Sequence, residues 1–458
     1  MSSKNEFGTK IGLIAATVGS AIGLGNVWRF PGETQANGGA AFLILYVVCV
    51  LCLGIPVMLT EFSLGRAGRS DAIGVFRKLA SGTPWWLVGL TAVVASYLII
   101  SYYMVVAGWT LEYLVESLSG GLYSGTELLT PGDTDSLRAA FSTKMDGYVT
   151  SDFKPLLYTY ALIGINIAVL LGGVQKGIEK LSNVLMPILF IILVGMVCFT
   201  LSLPNAGQGV SFFLSPDFSK INMSVVVNAL GQAFFSLSLG MGILITYGSY
   251  YPADTKLTRT SIIVSLLSLL VAILMGLIIF PAVKSFGLDN EPLEGATLVF
   301  VTLPEVFAQL PLPWLWSSLF FLLLLVAALT STVSLAEVTI AMMQDRFAMS
   351  RRRAVFTVML PLLVLSAVCS LSFGSLSGLK IFGLTIFNLL DSFTTNILLP
   401  VVSIGVCVYM GWFAPKGLLR DELGNHGSNK SWTNAVVVAI VKYIAPILIA
   451  LILVFNYL

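Results

Sequence analysis

The sequence predicts an all-α polytopic membrane protein: eleven transmembrane helices, ten of them forming a 5+5 inverted repeat in which helices 1 and 6 are discontinuous. Three observations lead there. Of the 458 residues, 57% are hydrophobic and only 10% are charged, where a soluble domain carries about 25% charged residues. Apolar segments long enough to cross the hydrocarbon core recur at 10–36, 40–65, 86–118, 156–172, 180–202, 222–250, 260–285, 314–343, 354–371, 380–410 and 433–456. Two of them, the first and the sixth, are interrupted by glycines and polar residues at mid-depth. Five spans separate these two starts, and an odd separation inverts the second set relative to the first. The expected organisation is a first repeat over 1–202, an inverted second repeat over 203–410, and a cytoplasmic loop with the eleventh helix over 411–458.

The first span holds Gly19, Gly23 and Gly25, followed by Asn26 and Arg29. Each glycine weakens a helix by about 1 kcal/mol relative to alanine. The amide and the charge are costly at membrane depth unless they face a cavity or a partner. A broken helix survives in hydrocarbon only where its freed N–H and C=O groups meet protein, water or a ligand. Gly19 and Gly23 also have the spacing of a helix-packing face, but packing needs neither Asn26 nor Arg29. The pattern predicts a discontinuous helix that binds something small and charged. The sixth span repeats it, with Asn228, Gln232, Ser236 and Ser238 running into Gly240 and Gly242.

In the fifth span, Gly177 and Pro187 mark a helix able to unwind, since proline removes an N–H and glycine loosens the helix start. Residues 120–154 and 291–311 read as external loops, and the second of these has room for a short helical hairpin. Lys and Arg gather on one face, among them Arg66, Arg69, Arg77, Lys78, Arg351, Arg352, Arg353, Lys416 and Arg420. The positive-inside rule then puts the N-terminus in the cytoplasm, and an odd count of spans puts the C-terminus outside. No secretory n-region or cleavage site opens the chain. The only histidine, His426, lies in a polar loop, and the five cysteines lie in apolar segments. No His-based metal site, redox pair, nucleophile with a base, or basic patch for nucleic acid is present. An enzyme is therefore not expected. Two breaks at matched points of an inverted repeat argue against a channel.

These motifs, in this order along nearly the whole chain, resemble the neurotransmitter:sodium symporter family, in particular its eleven-helix bacterial amino-acid transporters. The resemblance implies sodium-coupled import of an amino acid across the plasma (inner) membrane by alternating access, with two sodium ions. The first sodium would take the Ala21 carbonyl, Asn26, Ser236 and Ser268, a position that usually holds Asn or Asp in the family. The second would take carbonyls of Gly19, Ile22 and Ala327 with hydroxyls of Thr330 and Ser331. Hydroxyls in a helix also bond back to the preceding turn, which is the plainer reading of Thr330 and Ser331 taken alone. The substrate carboxylate would meet N–H groups of Leu24 and Gly25 and the Tyr103 hydroxyl, at a half-helix start that attracts anions. Its ammonium would meet carbonyls of Ala21, Phe235 and Ser236.

Gly23 stands where the family's monoamine transporters carry an Asp, so the substrate is expected to bring its own carboxylate. The side-chain pocket falls on Leu98, Ile99, Val106, Phe235, Ser238, Met241, Ser331 and Leu335, all uncharged. This implies hydrophobic L-amino acids, aliphatic to aromatic. Arg29 and Asp391 would form the outer gate, with Glu33 placed to join them; Lys4 and Asp345 would form the inner gate across Phe7 and Tyr250. Glu61 and Glu337 read as hydrogen-bonded structural acids. The family balances charge at the first sodium with chloride or an added acid. Tyr46, Gln232, Ser236 and Ser268 could hold chloride; Ala272 occupies the acid's position, and Glu33 or Glu61 could supply the negative charge instead, so both routes stay open.

Overall fold

A computed structural model describes residues 6–125, 134–288, 295–425 and 432–455. Among them the chain is helical, and the sole β feature is an isolated bridge between Ile381 and Leu384. Among the described residues, nine unbroken helices are long and apolar enough to cross a membrane, and Lys10–Ala21 with Gly25–Ala36 makes a further span bent by 53°. The sixth predicted span is a pair of short helices, Met223–Ser236 and Ile243–Tyr250. The first packs on Ala40–Cys49 and the second on Ile55–Gly68, successive parts of the second span. The pair is therefore one crossing in two halves, and the count agrees with the sequence.

Each break has a local cause. Thr9 starts the first helix by accepting the Gly12 N–H. The helix ends at Ala21 because Ile22 leaves the helical region, at φ −94° and ψ 84°. Between the halves of the sixth span, Ser238, Gly240 and Gly242 all have left-handed φ, at 54°, 77° and 72°. Glycine adopts that conformation freely and serine does not. Ser238 is held there by its own hydroxyl, which donates to the Ser20 carbonyl at 2.8 Å. The two breaks thus face each other across the centre of the bundle.

The eighth span, Pro313–Phe347, is the most buried, and it packs chiefly on the third, Trp86–Ser119. The fifth, Val174–Thr200, is peripheral: Ile188, Ile191 and Val194 recur on one exposed apolar face, as a lipid-facing helix requires. It opens with a π-helical stretch, Val174–Glu179, which contains Gly177, while Pro187 lies within the α-helix that follows.

Three expectations are corrected. The segment 120–154 is not simply a loop, for it contains the helix Thr134–Val149, whose Leu137, Phe141, Met145 and Tyr148 are buried at i, i+4, i+8 and i+11. The described part of 291–311 is one helical run, Gly295–Ala308, rather than a hairpin. The tenth span begins at Ile386, not at residue 380, because Phe382 and Gly383 take positive φ and turn the chain.

Candidate functional site

Where the two breaks meet, buried polar groups collect. The Asn26 amide nitrogen donates to the Ala21 carbonyl at 3.3 Å and to the Ser268 hydroxyl at 2.9 Å. The Ser268 hydroxyl donates to the Ser236 carbonyl at 3.2 Å. Tyr46 donates to the Ser236 hydroxyl at 2.9 Å, and the Gln232 amide donates to the Gly25 carbonyl at 3.0 Å. Asn26 and Gln232 are fully buried, yet Asn26 Oδ1 and Gln232 Oε1 have no hydrogen-bond partner among the described residues. Bare acceptor oxygens are rare inside proteins and costly unless something meets them. The Asn26 oxygen, with the Ala21 and Ser236 carbonyls close by, forms a donor set suited to a hard monovalent cation.

A second cluster joins the first span to the eighth. Ser331 donates to the Gly19 carbonyl at 3.4 Å. Thr330 bonds back to Val326 and Ala327 at 3.2 Å and 3.1 Å, the ordinary behaviour of a helical threonine. Gly19 lies directly against Thr330, and Ile22 is wholly buried. The next turn is fixed from outside, because Thr332 donates to Asn166 of the fourth span at 2.9 Å.

Between the clusters lies a small cavity of about 30 Å³. Its wall includes Ala21, Gly23, Gly25, Ile99, Tyr103, Phe235, Ser236, Ser238, Met241, Ser331 and Leu335, and no charged side chain. The Leu24 N–H donates to the Tyr103 hydroxyl at 2.9 Å, tying the third span to the first break. Gly23 leaves no room for a side chain: a Cβ there would sit 2.9 Å from the Ser331 hydroxyl. Leu24 and Val106 line the larger cavity outside, and Leu98 lines neither. One residue along a helix is about 100° of rotation, so Ile99 takes the inward place and Leu98 turns away. Sequence reasoning also missed Ser96, whose hydroxyl donates to the Met241 carbonyl, and Ser20 and Ile243, which complete the wall. Only their neighbourhood to the breaks could have signalled them.

The outer cavity, about 630 Å³, runs from Phe235 past Arg29, Glu33, Tyr102 and Asp391. Phe235 lines both cavities and divides them. The expected Arg29–Asp391 contact is not made. Arg29 lies 3.6 Å from Glu33 and over the Phe235 ring at 5.1 Å, because the outer cavity holds its walls apart.

The opposite side is filled. Phe7 packs edge-on against Tyr247 and Tyr250, and its N–H donates to the Tyr250 carbonyl at 3.3 Å. Tyr250 donates to Glu337 at 2.8 Å, and Arg351 grips the same carboxylate at 2.8 Å and 2.7 Å. Asp345 accepts from the Ser70 hydroxyl and the Asp71 N–H; Lys4 lies outside the described residues. Glu61 accepts the Gly240 N–H at 2.8 Å and so braces the sixth-span break. Glu179 accepts from the Gly8 and Thr9 N–H groups and the Thr9 hydroxyl, fastening the start of the first span to the π-helical stretch of the fifth.

The sequence profile of the sodium:neurotransmitter symporter family matches residues 4–127 and 152–458. An uncharacterized sodium-dependent transporter of Bacillus subtilis (strain 168) is 36% identical over 93% of this chain and 91% of its own length. The sodium-dependent serotonin transporter of Drosophila melanogaster is 27% identical over 90% of this chain and 70% of its own. Among solved structures, MhsT in complex with L-phenylalanine superposes with a TM-score of 0.88 at 37% identity, over 99% of this chain and 100% of that one.

Proposed function

This chain belongs to the sodium:neurotransmitter symporter family, and from that premise we propose that it imports hydrophobic L-amino acids, aliphatic to aromatic, by sodium symport and alternating access. It is a multi-pass, sodium-dependent secondary transporter and not an enzyme. The observation that carries the finer reading is the buried Asn26, with its bare oxygen beside an uncharged, apolar-walled cavity at the meeting of two broken helices. A cation at Asn26 lies close to the place a substrate carboxylate would take, so each raises the other's affinity. The solved MhsT complex contains L-phenylalanine, which supports an apolar amino acid here too.

Two sodium sites are proposed. The first uses Ala21, Asn26, Ser236 and Ser268, and the second Gly19, Ile22, Ala327, Thr330 and Ser331. Chloride beside the first, held by Tyr46, Gln232, Ser236 and Ser268, is the route to charge balance that this chain favours, since neither Ser268 nor Ala272 is acidic. In the proposed topology the protein lies in the plasma (inner) membrane with a cytoplasmic N-terminus and an extracellular C-terminus. The two five-helix repeats, 1–202 and 203–410, move against each other. The test is uptake of labelled phenylalanine and leucine into proteoliposomes. Saturable uptake, abolished when a sodium-selective ionophore collapses the gradient, is expected. Uptake indifferent to sodium would overturn the coupling, and uptake of glutamate or lysine instead would overturn the substrate class.

A further inference from the structure

The outer cavity sets one guanidinium between two carboxylates: Arg29, Glu33 and Asp391 all line it. Arg29 and Glu33 stand four residues apart on the outer half of the first span, the spacing at which side chains of a helix meet. Asp391 belongs to the tenth span, in the helix Ile386–Phe393. Among the described residues the guanidinium has one ion-pair partner, Glu33, at 3.6 Å. The Asp391 carboxylate accepts from the Thr395 hydroxyl at 3.4 Å instead. Glu33 is itself held in place. Its Oε2 accepts from the Asn37 amide at 3.1 Å, and the same nitrogen donates to the Glu33 carbonyl at 2.8 Å. The oxygen of the buried Asn37 accepts from Asn228, on the outer half of the sixth span, at 2.9 Å. The Glu33 carboxylate is thus tied to the first and sixth spans, and it does not travel with the arginine side chain across the cavity.

A contact of 3.6 Å is lost as soon as Arg29 moves toward Asp391, so the two acids draw one cation in opposite directions. We propose that Glu33 is a positioning residue that competes with Asp391 for Arg29 and so holds the outer cavity open. Arg29 lies over the Phe235 ring at 5.1 Å, and passing the guanidinium to Asp391 draws the cavity walls together above that ring. The inference rests on the transporter reading for its meaning: the balance between the two carboxylates sets how readily the protein closes over its substrate. The Arg29 and Glu33 side chains are 31% and 24% exposed, and a pair hydrated to that extent is weak. The bias is therefore small enough for a bound substrate to overcome. Were Glu33 to join Arg29 and Asp391 in one closed cluster, its loss would loosen the closed shape instead. The two arrangements thus differ in the sign of what removing the Glu33 charge does.

The test uses the full-length protein with a reporter thiol in the wall of the outer cavity, Ala296→Cys. Of the native cysteines, Cys49, Cys369 and Cys407 are buried, and Cys52 and Cys198 lie in apolar spans, out of reach of a charged thiol reagent. In sodium without amino acid, a charged methanethiosulfonate should label the reporter about two- to fivefold more slowly once Glu33→Gln is added, the scale of a half-exposed ion pair. In the Asp391→Asn background, Glu33→Gln should make no difference, because the competition has lost its second party. Faster labelling in Glu33→Gln would make Glu33 part of the closed gate and overturn the proposal. An unchanged rate, or the same slowing with Asp391→Asn in place, would overturn it too. Bound labelled phenylalanine should dissociate more slowly from Glu33→Gln by a similar factor, and quicker dissociation would count against the proposal in the same way. Failure of phenylalanine to bind the unsubstituted protein would overturn the substrate class proposed above, while the labelling rates, measured without substrate, decide the role of Glu33. Melting profiles matching that of the Ala296→Cys parent separate a shifted equilibrium from lost folding.

Discussion

Asn26 is bonded through its nitrogen and bare at its oxygen, and the side chain is fully buried. If that oxygen is a sodium ligand, Asn26→Ala removes an ion–dipole contact of the kind worth about 1.5–3 kcal/mol. Sodium-dependent substrate binding should then weaken roughly ten- to a hundredfold, with normal amounts of protein in the membrane. A sodium titration of labelled amino-acid binding measures this, and unchanged sodium affinity removes Asn26 from the site. Met241 decides a different quantity. Methionine is unbranched and fills irregular space at low cost, and its carbonyl is pinned by Ser96 while its side chain lines the cavity. A buried, unpaired polar group costs a few kcal/mol, whereas a methylene is worth only about 0.8 kcal/mol. Several apolar amino acids should therefore compete, and charged ones should not. Met241→Phe should penalise Trp and Tyr more than Val or Leu in a competition panel. An identical profile in the variant would show that this side chain does not set the pocket's size.

The elements carry a different kind of information. Pro187 cannot donate to the carbonyl of Asn183, and the helix before it is π-wound through Gly177. That turn of the fifth span is the cheapest in its helix to open. Glu179 stands at the end of the π stretch and holds the Gly8 and Thr9 N–H groups. Opening the turn would thus also loosen the start of the first span. Pro187→Ala restores a backbone bond there and should slow transport severalfold while leaving substrate binding nearly intact; loss of binding in parallel with transport would mark a purely structural proline. The backbone effects of Gly177 and Pro187 could be read from the sequence, because neither needs a distant partner. Glu179 could not, because its partners lie about 170 positions away and an acid in a basic stretch reads as surface. The helix breaks were legible for the reason Gly177 was. Leu98 was misplaced because a tilt of one residue exchanges the faces of a helix and composition does not report tilt. Thr134–Val149 escaped because hydropathy finds spans and says nothing of amphipathic helices beside them.

At the scale of the whole molecule the two sides of the central site are unequal. Toward Arg29 and Asp391 a cavity of about 630 Å³ reaches Phe235; toward Tyr250 the path is filled by aromatic rings and by the Arg351–Glu337–Tyr250 network. In alternating access this shape must exchange with one open on the other side, and ligands act only by binding one shape better. The closed side offers a direct handle. Tyr250→Phe deletes one hydrogen bond to a carboxylate and keeps the ring against Phe7, so the packing stays while the closed state loses about 1.5–3 kcal/mol, as expected for a bond to a charged group. Its first consequence falls on amides that are bonded only while that side is shut. The Phe7 N–H is held by the Tyr250 carbonyl, and those of Gly8 and Thr9 by Glu179. Hydrogen exchange of the N-terminal peptide should therefore quicken by about tenfold or more in the variant. Sodium should slow it again, because an ion bridging the first break to the eighth span favours the shape in which Gly19, Ser331 and the breaks are in contact. Exchange at Phe7, Gly8 and Thr9 indifferent both to the substitution and to sodium would mean that the closed side is rigid packing rather than a gate.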